Sequence, residues 1–383
     1  MERNKVYADG FTADFWEQNS LLDFLKERQK NSWWKVFPTK LITVSPLKES
    51  TFEGRQYDKE ELKMMIGIFQ DTMQNTQLLM EVGDQKFPVR SCAVKSLLDR
   101  AKISGNALKK VDRAVFAQIV NDCLRVAKGD SLIRIADGKV SAVHSGNPKD
   151  YSALDMAGLF EKTADYLQVH YRAKYICGSY EHALTTALWD LSEDKGLFKS
   201  YERSLRDHGI YAREIRLAVR FSSSDTGMNS AGLYPMIRWE GQKNSLPLGD
   251  PLRLKHRNGA DIQDFETQLN QLYSQYQYAL GKLEKLLDIT VEYPADCMKH
   301  ICDKTGMSKK LTAELVSTFA AQNGNAPCSA HDVYCGISEA AFLLQCDGAS
   351  EVRVAQMEEN IARAMALNWK EYDYPEISGE VCA

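Results

Sequence analysis

Apolar residues recur along the chain with two periods, and the changes of period mark the elements. Phe11, Phe15, Trp16, Leu22 and Leu25 step near the helical repeat, which predicts one helix ending before the aromatic group Trp33, Trp34 and Phe37, with Pro38 as its stop. Aromatic residues this dense are expected to dock as a packed arm on the main body. Short β-like runs at 78–82 and 87–89 flank Gly83-Asp84 and predict a hairpin. Ser91 has N-cap chemistry for a helix carrying Val94, Leu97, Leu98 and Ala101. Ser104-Gly105 breaks it before a second helix through Leu108, Val111, Val115, Ile119 and Leu124. Residues 132–135 and 140–143 around Asp137-Gly138 form the clearest hairpin, because Asp-Gly suits a type I′ turn.

Farther along, a helix is expected over 155–167, followed by an extended run at 175–177. A run at 183–188 fits either period. Residues 214–222 alternate strictly, Ile215, Leu217, Val219 and Phe221 against Arg216, Ala218, Arg220 and Ser222, which predicts a half-buried strand. Leu233, Pro235, Ile237 and Trp239 continue as a second strand whose other face carries Tyr234, Met236 and Arg238. From 260 to 287, Ile262, Phe265, Leu269, Leu272, Tyr276, Leu283 and Leu287 predict one long helix, and Pro294 starts the next. The expected fold class is α+β: an antiparallel sheet with hairpins and helices, followed by a mostly helical C-terminal unit. The corresponding boundaries are an N-terminal helical arm at 1–75, an α+β core at 76–259, a helical unit at 260–370 and an acidic tail at 371–383.

Composition narrows the class further. With 383 residues, 44% hydrophobic and 26% charged, the chain can bury a sizeable core, and disordered or collagenous classes are excluded. No run of eighteen apolar residues occurs, and no apolar stretch follows Met1-Glu2-Arg3-Asn4-Lys5. A protein with no membrane span and no Sec-type signal is therefore expected, cytoplasmic in a bacterial host cell. Nine cysteines at irregular spacings fit reduced thiols. The net charge of −4 conceals an asymmetry. Between Lys86 and Lys128 ten Lys or Arg face three acids, a local charge of +7, while from Glu339 onward three bases face nine acids, a local charge of −6. Such a field steers an anionic partner to one end of a molecule.

Common nucleotide-binding, zinc-protease and hydrolase motifs are absent, and no cofactor is implied. Three constellations remain. Cys297-x-x-His300-x-Cys302 and Cys328-x-x-His331-x-x-x-Cys335 contain zinc-ligand types at spacings unlike a finger or ribbon, so buried cysteines are the leading reading, and Cys297, His300, Cys328 and His331 are weak metal candidates. Arg216, Arg220 and Arg238 beside the loop 222–227 form a candidate anion site, guanidinium forks with hydroxyls and loop amides; a solvated sheet face is the plain alternative. Residues 94–104 also align without gaps on 298–308, with Lys, Asp, Ser and apolar positions coinciding. Both copies read as helix, turn and helix, the plan that helix-turn-helix domains also use. In its sharp form this makes Lys95, Arg100, Lys102, Lys109, Lys110 and Arg113 phosphate contacts.

The stretch 216–225, then Gly232-Leu-Tyr-Pro235, Pro247-Leu-Gly249, His256-Arg-Asn-Gly259 and Ala330-His331-Asp332-Val333-Tyr334, resembles an uncharacterised family of phage- and plasmid-like proteins. The resemblance extends to 90–143. It implies a role in the life of a mobile genetic element, in DNA handling or in countering host defence, and brings no catalytic residues with it. Together these readings lead to an expectation of a non-enzymatic, nucleic-acid-associated accessory protein. Two alternatives stand beside it. One is an anti-defence protein that blocks a host defence protein through its acidic C-terminal region, including Glu358, Glu359, Glu371 and Asp373. The other is an enzyme with His331, Asp332, Cys335 and Glu339 on one helix face.

Overall fold

The computed structural model describes residues 5–48, 59–105, 107–191, 193, 196–211, 215–239 and 245–376. Residues 377–383 of the expected acidic tail lie outside the described residues, as does the side chain of Lys109. The fold is α+β, with helices packed on antiparallel sheets around two apolar cores.

The expected first helix is instead two elements. Thr12–Phe15 is strand β1, and helix α1 spans Gln18–Lys30. Phe11 and Phe15 are four apart, a spacing that strand and helix both place on one face, so the pattern did not separate them. Trp33, Trp34 and Phe37 belong to β2 (Ser32–Pro38), which pairs antiparallel with a later strand across 130–136. The aromatic group is thus part of a sheet, and Pro38 closes a strand where a helix stop was expected.

β2 begins a layered unit with its own core. It contains β3 (Thr43–Pro46), α2 (Lys59–Gln74), the hairpin β4 (Leu78–Val82) and β5 (Gln85–Pro88), helices α3 (Ser91–Arg100) and α4 (Arg113–Val126), and the hairpin β6 (Asp130–Ala136) and β7 (Lys139–Ser145). Two antiparallel sheets result, β2-β6-β7 and β3-β4-β5. Val44, Met80, Val82, Leu97, Phe116, Val120, Leu124, Ile133, Ile135 and Val143 fill the space between sheets and helices. The Asp137-Gly138 turn has φ of +50° and +74° at its two residues, the left-handed pair that a type I′ hairpin needs. On the outer edge of β3, the Asn121 side chain of α4 accepts from the Val44 N–H at 2.7 Å and donates to the Val44 carbonyl at 2.8 Å. One amide thereby does what a neighbouring strand would do.

The second unit carries the larger core. α5 (Met156–Tyr171) leads into β8 (Lys174–Glu181), β9 (Leu184–Leu191), α6 (Phe198–Asp207), β10 (Ile215–Ser223), β11 (Ala231–Trp239), β12 (Ser245–Pro247) and β13 (Leu252–Leu254). The ambiguous run at 183–188 is thus strand. The sheet runs β1-β8-β9-β10-β11-β12, with β13 also on β11, and every pairing is antiparallel. Helices α7 (Ile262–Asn270), α8 (Leu272–Leu287), α9 (Pro294–Lys304), α10 (Lys309–Asn323), α11 (Ala330–Cys346) and α12 (Glu351–Ala364) follow, with the short pair β14 (Thr290–Val291) and β15 (Cys328–Ser329) between them. The single long helix expected over 260–287 is two, because the Gln271 N–H turns to the Gln268 carbonyl, an i−3 bond. The apolar stripe stays in phase across the break and carried no sign of it. Among the described residues no helix is long and apolar enough to cross a membrane.

β10 is buried on both faces except at Arg216, not half-buried. Its apolar face meets the main core, and α12 covers the face that alternation assigned to solvent, where Arg220 and Ser222 lie.

Where the two units meet, the interface is ionic. Arg28 pairs with Asp137, which Arg90 also approaches at 3.3 Å. Lys139, with no exposed surface, lies 2.8 Å from Asp9 and also contacts Asp71. Three cations therefore meet three carboxylates out of water, the arrangement that buried charge requires. Burial would raise the Asp9 carboxyl, yet Lys139 and the Ser91 amide hold it below the usual range.

The echo between 94–104 and 298–308 is a shared helix stop. Lys102 and Gly306 occupy the same left-handed position, with φ of +59° and +81°. The following N–H bonds six residues back in both, Ile103 to Leu98 and Met307 to Cys302, each at 2.9 Å. After the turn the copies diverge. Ser308 caps α10, whereas Ser104 is followed by a short 3-10 turn, Ala107–Lys110, and it is Asp112 that caps α4. Since glycine adopts this conformation without penalty, Lys102→Gly should raise stability by about 1 kcal/mol and Gly306→Lys should lower it by a similar amount. Urea denaturation of both variants checks the sign.

Candidate functional site

The basic segment divides into internal and external charges. Arg100, at the end of α3, is held by neutral acceptors: its Nε donates to Ser131 Oγ at 3.1 Å, and one terminal nitrogen donates to Thr39 Oγ1 at 2.5 Å and to the carbonyls of Lys128 at 2.7 Å and Asp130 at 3.3 Å. It ties the end of α3 to the loop before β6. Arg90 belongs to the buried ionic junction. Arg113 is half-buried, its guanidinium 5.7 Å from the Phe116 ring. Lys95, Lys102 and Lys110 are exposed, and so is Lys128.

Lys95 and Lys102 are seven residues apart, so they share the outer face of α3 and its stop. Arg100 brings Lys128 to the same end. Among the described residues no carboxylate lies within ion-pair distance of these four lysines, although many other surface cations have one, such as Arg125 with Asp122 at 2.7 Å. Sequence reasoning missed Lys128. It is 26 positions beyond Lys102 in the chain, and only the Arg100 side chain shows that the two meet.

The three arginines of the sheet are placed differently from one another. Arg220 pairs with Glu358 of α12 beneath the helix, its guanidinium 4.5 Å from the Tyr234 ring. Arg238 pairs with Asp190 at 2.7 Å. Arg216 is on the surface. The loop 222–227 is packed inside: Ser222, Ser223, Ser224 and Thr226 are buried, and the Thr226 carbonyl bonds His144 Nε2 at 2.8 Å. Gly227, at φ +69°, has no room for a side chain, since a Cβ there would sit 2.5 Å from the Tyr151 ring. This glycine serves a close approach between protein layers. His144 stacks on Tyr151 at 3.7 Å, Trp34 and His256 flank that pair, and Arg134 pairs with Asp225 across the same junction.

The cysteine and histidine clusters come only partly together. Cys328 is close enough to Cys297 to add to the burial that pushes both thiols up to about 12. His300 turns away, its Nδ1 on the Tyr372 carbonyl at 3.0 Å and its ring stacked on Tyr374. His331 bonds the Tyr201 hydroxyl at 2.8 Å through Nε2, with Cys335 Sγ 3.8 Å from Nδ1. Asp332 caps α11 in a reciprocal box with Ser329, and Glu339 is half-buried on the same helix. Among the described residues no group of three His, Cys, Asp or Glu is placed to hold a metal ion. Burial pushes the Cys335 thiol up to about 12, far from a reactive thiolate.

Of the acidic C-terminal groups, several are engaged within the fold. Glu359 accepts from the Tyr234 hydroxyl at 2.7 Å and lies 2.7 Å from Arg253. Asp373 accepts from the Glu292 and Tyr293 amides, both at 2.8 Å, ahead of α9. Compared with known families, curated proteins and solved structures, the chain matches no family model, no curated protein and no solved structure.

His331 provides a direct test of these placements. Burial holds it down to about 4, so it is neutral in the fold while the unfolded chain titrates near 6.5. Its contribution to stability is complete above pH ~6.5 and is lost as pH falls toward 4, amounting to about 2–3 kcal/mol by pH ~4.5. Urea midpoints at the two ends of that window should therefore differ less in His331→Gln than in the parent protein.

Proposed function

We propose that the protein binds nucleic acid, without catalysis, through the basic surface that α3, its stop and the loop before β6 form. The observation that carries this reading is the contrast in ion pairing. Lys95, Lys102, Lys110 and Lys128 stand on the surface with no carboxylate within reach among the described residues, while Arg90, Arg220 and Arg238 are neutralised inside. Unpaired cations lose counterions and gain phosphates on binding. The resemblance to phage- and plasmid-like proteins supports placing this activity in the handling of a mobile element's nucleic acid.

The rival readings have less support. An anti-defence protein presenting acidic groups as phosphate mimics needs them on the surface, and Glu358, Glu359 and Asp373 have partners within the fold. An enzyme at His331 would need an accessible base and thiol, and both are held in their neutral forms by burial.

Fluorescence anisotropy against salt concentration tests the proposal. Affinity for a labelled oligonucleotide should be measurable at about 50 mM salt and fall steeply toward 200 mM. Charge reversal at Lys95, Lys102, Lys110 and Lys128 together should flatten the slope of log affinity against log salt by roughly 3, near 0.9 for each phosphate that the protein no longer neutralises. No binding by the parent protein at the lowest salt would remove the reading.

A further inference from the structure

The same strand that sequence periodicity took for a helix end presents an unusual outward face. Along β2, Trp34 turns toward the junction and packs beside Tyr151, which leaves Trp33, Lys35 and Phe37 on the opposite side. They alternate aromatic, cation, aromatic over about 13 Å of strand. Across from them stands the β4–β5 hairpin. Phe87 meets Trp33 edge-on at 6.0 Å, Lys35 Nζ lies 3.4 Å from the Val82 carbonyl and 5.7 Å from the Phe37 ring, and Lys86 is exposed. Trp33 keeps 46% of its surface exposed. Phe37 and Phe87 are half-buried against the rim of the smaller core, so the rings are held in place from below.

An exposed tryptophan between lysines is costly to leave in water, and among the described residues Phe87 is the ring it meets. Its neighbourhood is cationic: Lys35 and Lys86 flank it, and the nearest carboxylate to Lys86 is Glu81 at 3.9 Å. The far end of β2 runs into the basic surface described above. Pro38 pairs with Asp130, the Thr39 N–H bonds the Gly129 carbonyl, and Arg100 bonds both Thr39 and the Lys128 carbonyl. One path thus leads from aromatic rings to unpaired lysines.

We infer that the outer face of β2, with Trp33 at its centre, is a stacking platform for unpaired bases, so that the ligand of the adjoining basic surface is single-stranded nucleic acid. A duplex offers that platform nothing, because its base faces are already stacked. An unpaired strand offers a π-face at every nucleotide, and lysines beside the rings meet the phosphates between them. Recognition of this kind is tolerant of sequence. The inference rests on the nucleic-acid reading and names the form of its ligand.

Anisotropy with labelled oligo-dT, oligo-U and a duplex of the same length, each of roughly 20 units so as to exceed one binding site, decides it. The parent protein should favour single strands over duplex. Trp33→Ala should weaken single-strand binding about tenfold or more and leave duplex binding unchanged, while Trp33→Phe retains most of the affinity. The dT and U arms separate DNA from RNA as the source of the bases. Trp33 is half exposed, so thermal unfolding of the alanine variant should match the parent and keep the comparison interpretable. Duplex binding at least as tight as single-strand binding, or an alanine variant that binds single strands normally, would overturn this inference and leave the basic surface standing. A parent protein that binds none of the three removes both. Concentration-dependent dimerisation abolished by Trp33→Ala, seen by sedimentation, would mean that a second copy covers the face, and it would overturn the platform as well.

Discussion

Three cations and three carboxylates, shut away from water between two apolar cores, set how the halves of this molecule are joined. Arg28, Arg90 and Lys139 come from α1, the turn before α3 and β7, and Asp9, Asp71 and Asp137 come from the N-terminal segment, α2 and the β6–β7 turn. The formal charges balance. Apolar surfaces would hold the units together in many orientations, whereas buried charges accept only the arrangement in which each finds its partner, since one left uncompensated costs several kcal/mol. The aromatic stack of Trp34, His144, Tyr151 and His256 lies beside this junction, with Arg134 and Asp225 crossing it. Orientation here comes from polar matching, and the cores supply the bulk of the burial.

That division of labour governs what remains for function. Charges drawn into the junction, or covered by α12, are committed to the fold and cannot meet a ligand. What is left outside is a smaller set than the +7 segment implies, and it gathers where Arg100 pins the end of α3 to the loop before β6. Net charge per segment was therefore a useful guide to location and a poor guide to which residues act.

Much of the architecture was legible because local chemistry decided it. Asp137-Gly138 forced its turn, Ser91 opened α3, and the strict alternation of 215–222 marked β10. The failures share a cause. Phe11 and Phe15 obey both periods; the break at Gln271 preserves the apolar phase; and the Arg220 face looks solvated until α12, more than a hundred residues later, lies down on it. In each case a distant partner made the choice. The candidate site followed the same rule: Lys95 and Lys102 could be read from the chain, but Lys128 joins them only through an arginine side chain, and the β2 face appears only once Trp33, Lys35 and Phe37 are known to alternate on a strand.

The larger core is also discontinuous in sequence. β1 and α1 complete a sheet and core otherwise built from residues after 155, and the smaller unit is inserted between them, its core drawn from residues 42 to 143. On a ribosome the inserted unit can close as soon as it has emerged, because its partners are contiguous. Phe15, by contrast, must wait for Gly178, its neighbour across the sheet, an interval on the order of 10–30 s at ordinary elongation rates. Throughout that time the first strand and helix carry uncovered phenylalanine and leucine side chains, which makes the N-terminal thirty residues the segment of the nascent chain most in need of a chaperone.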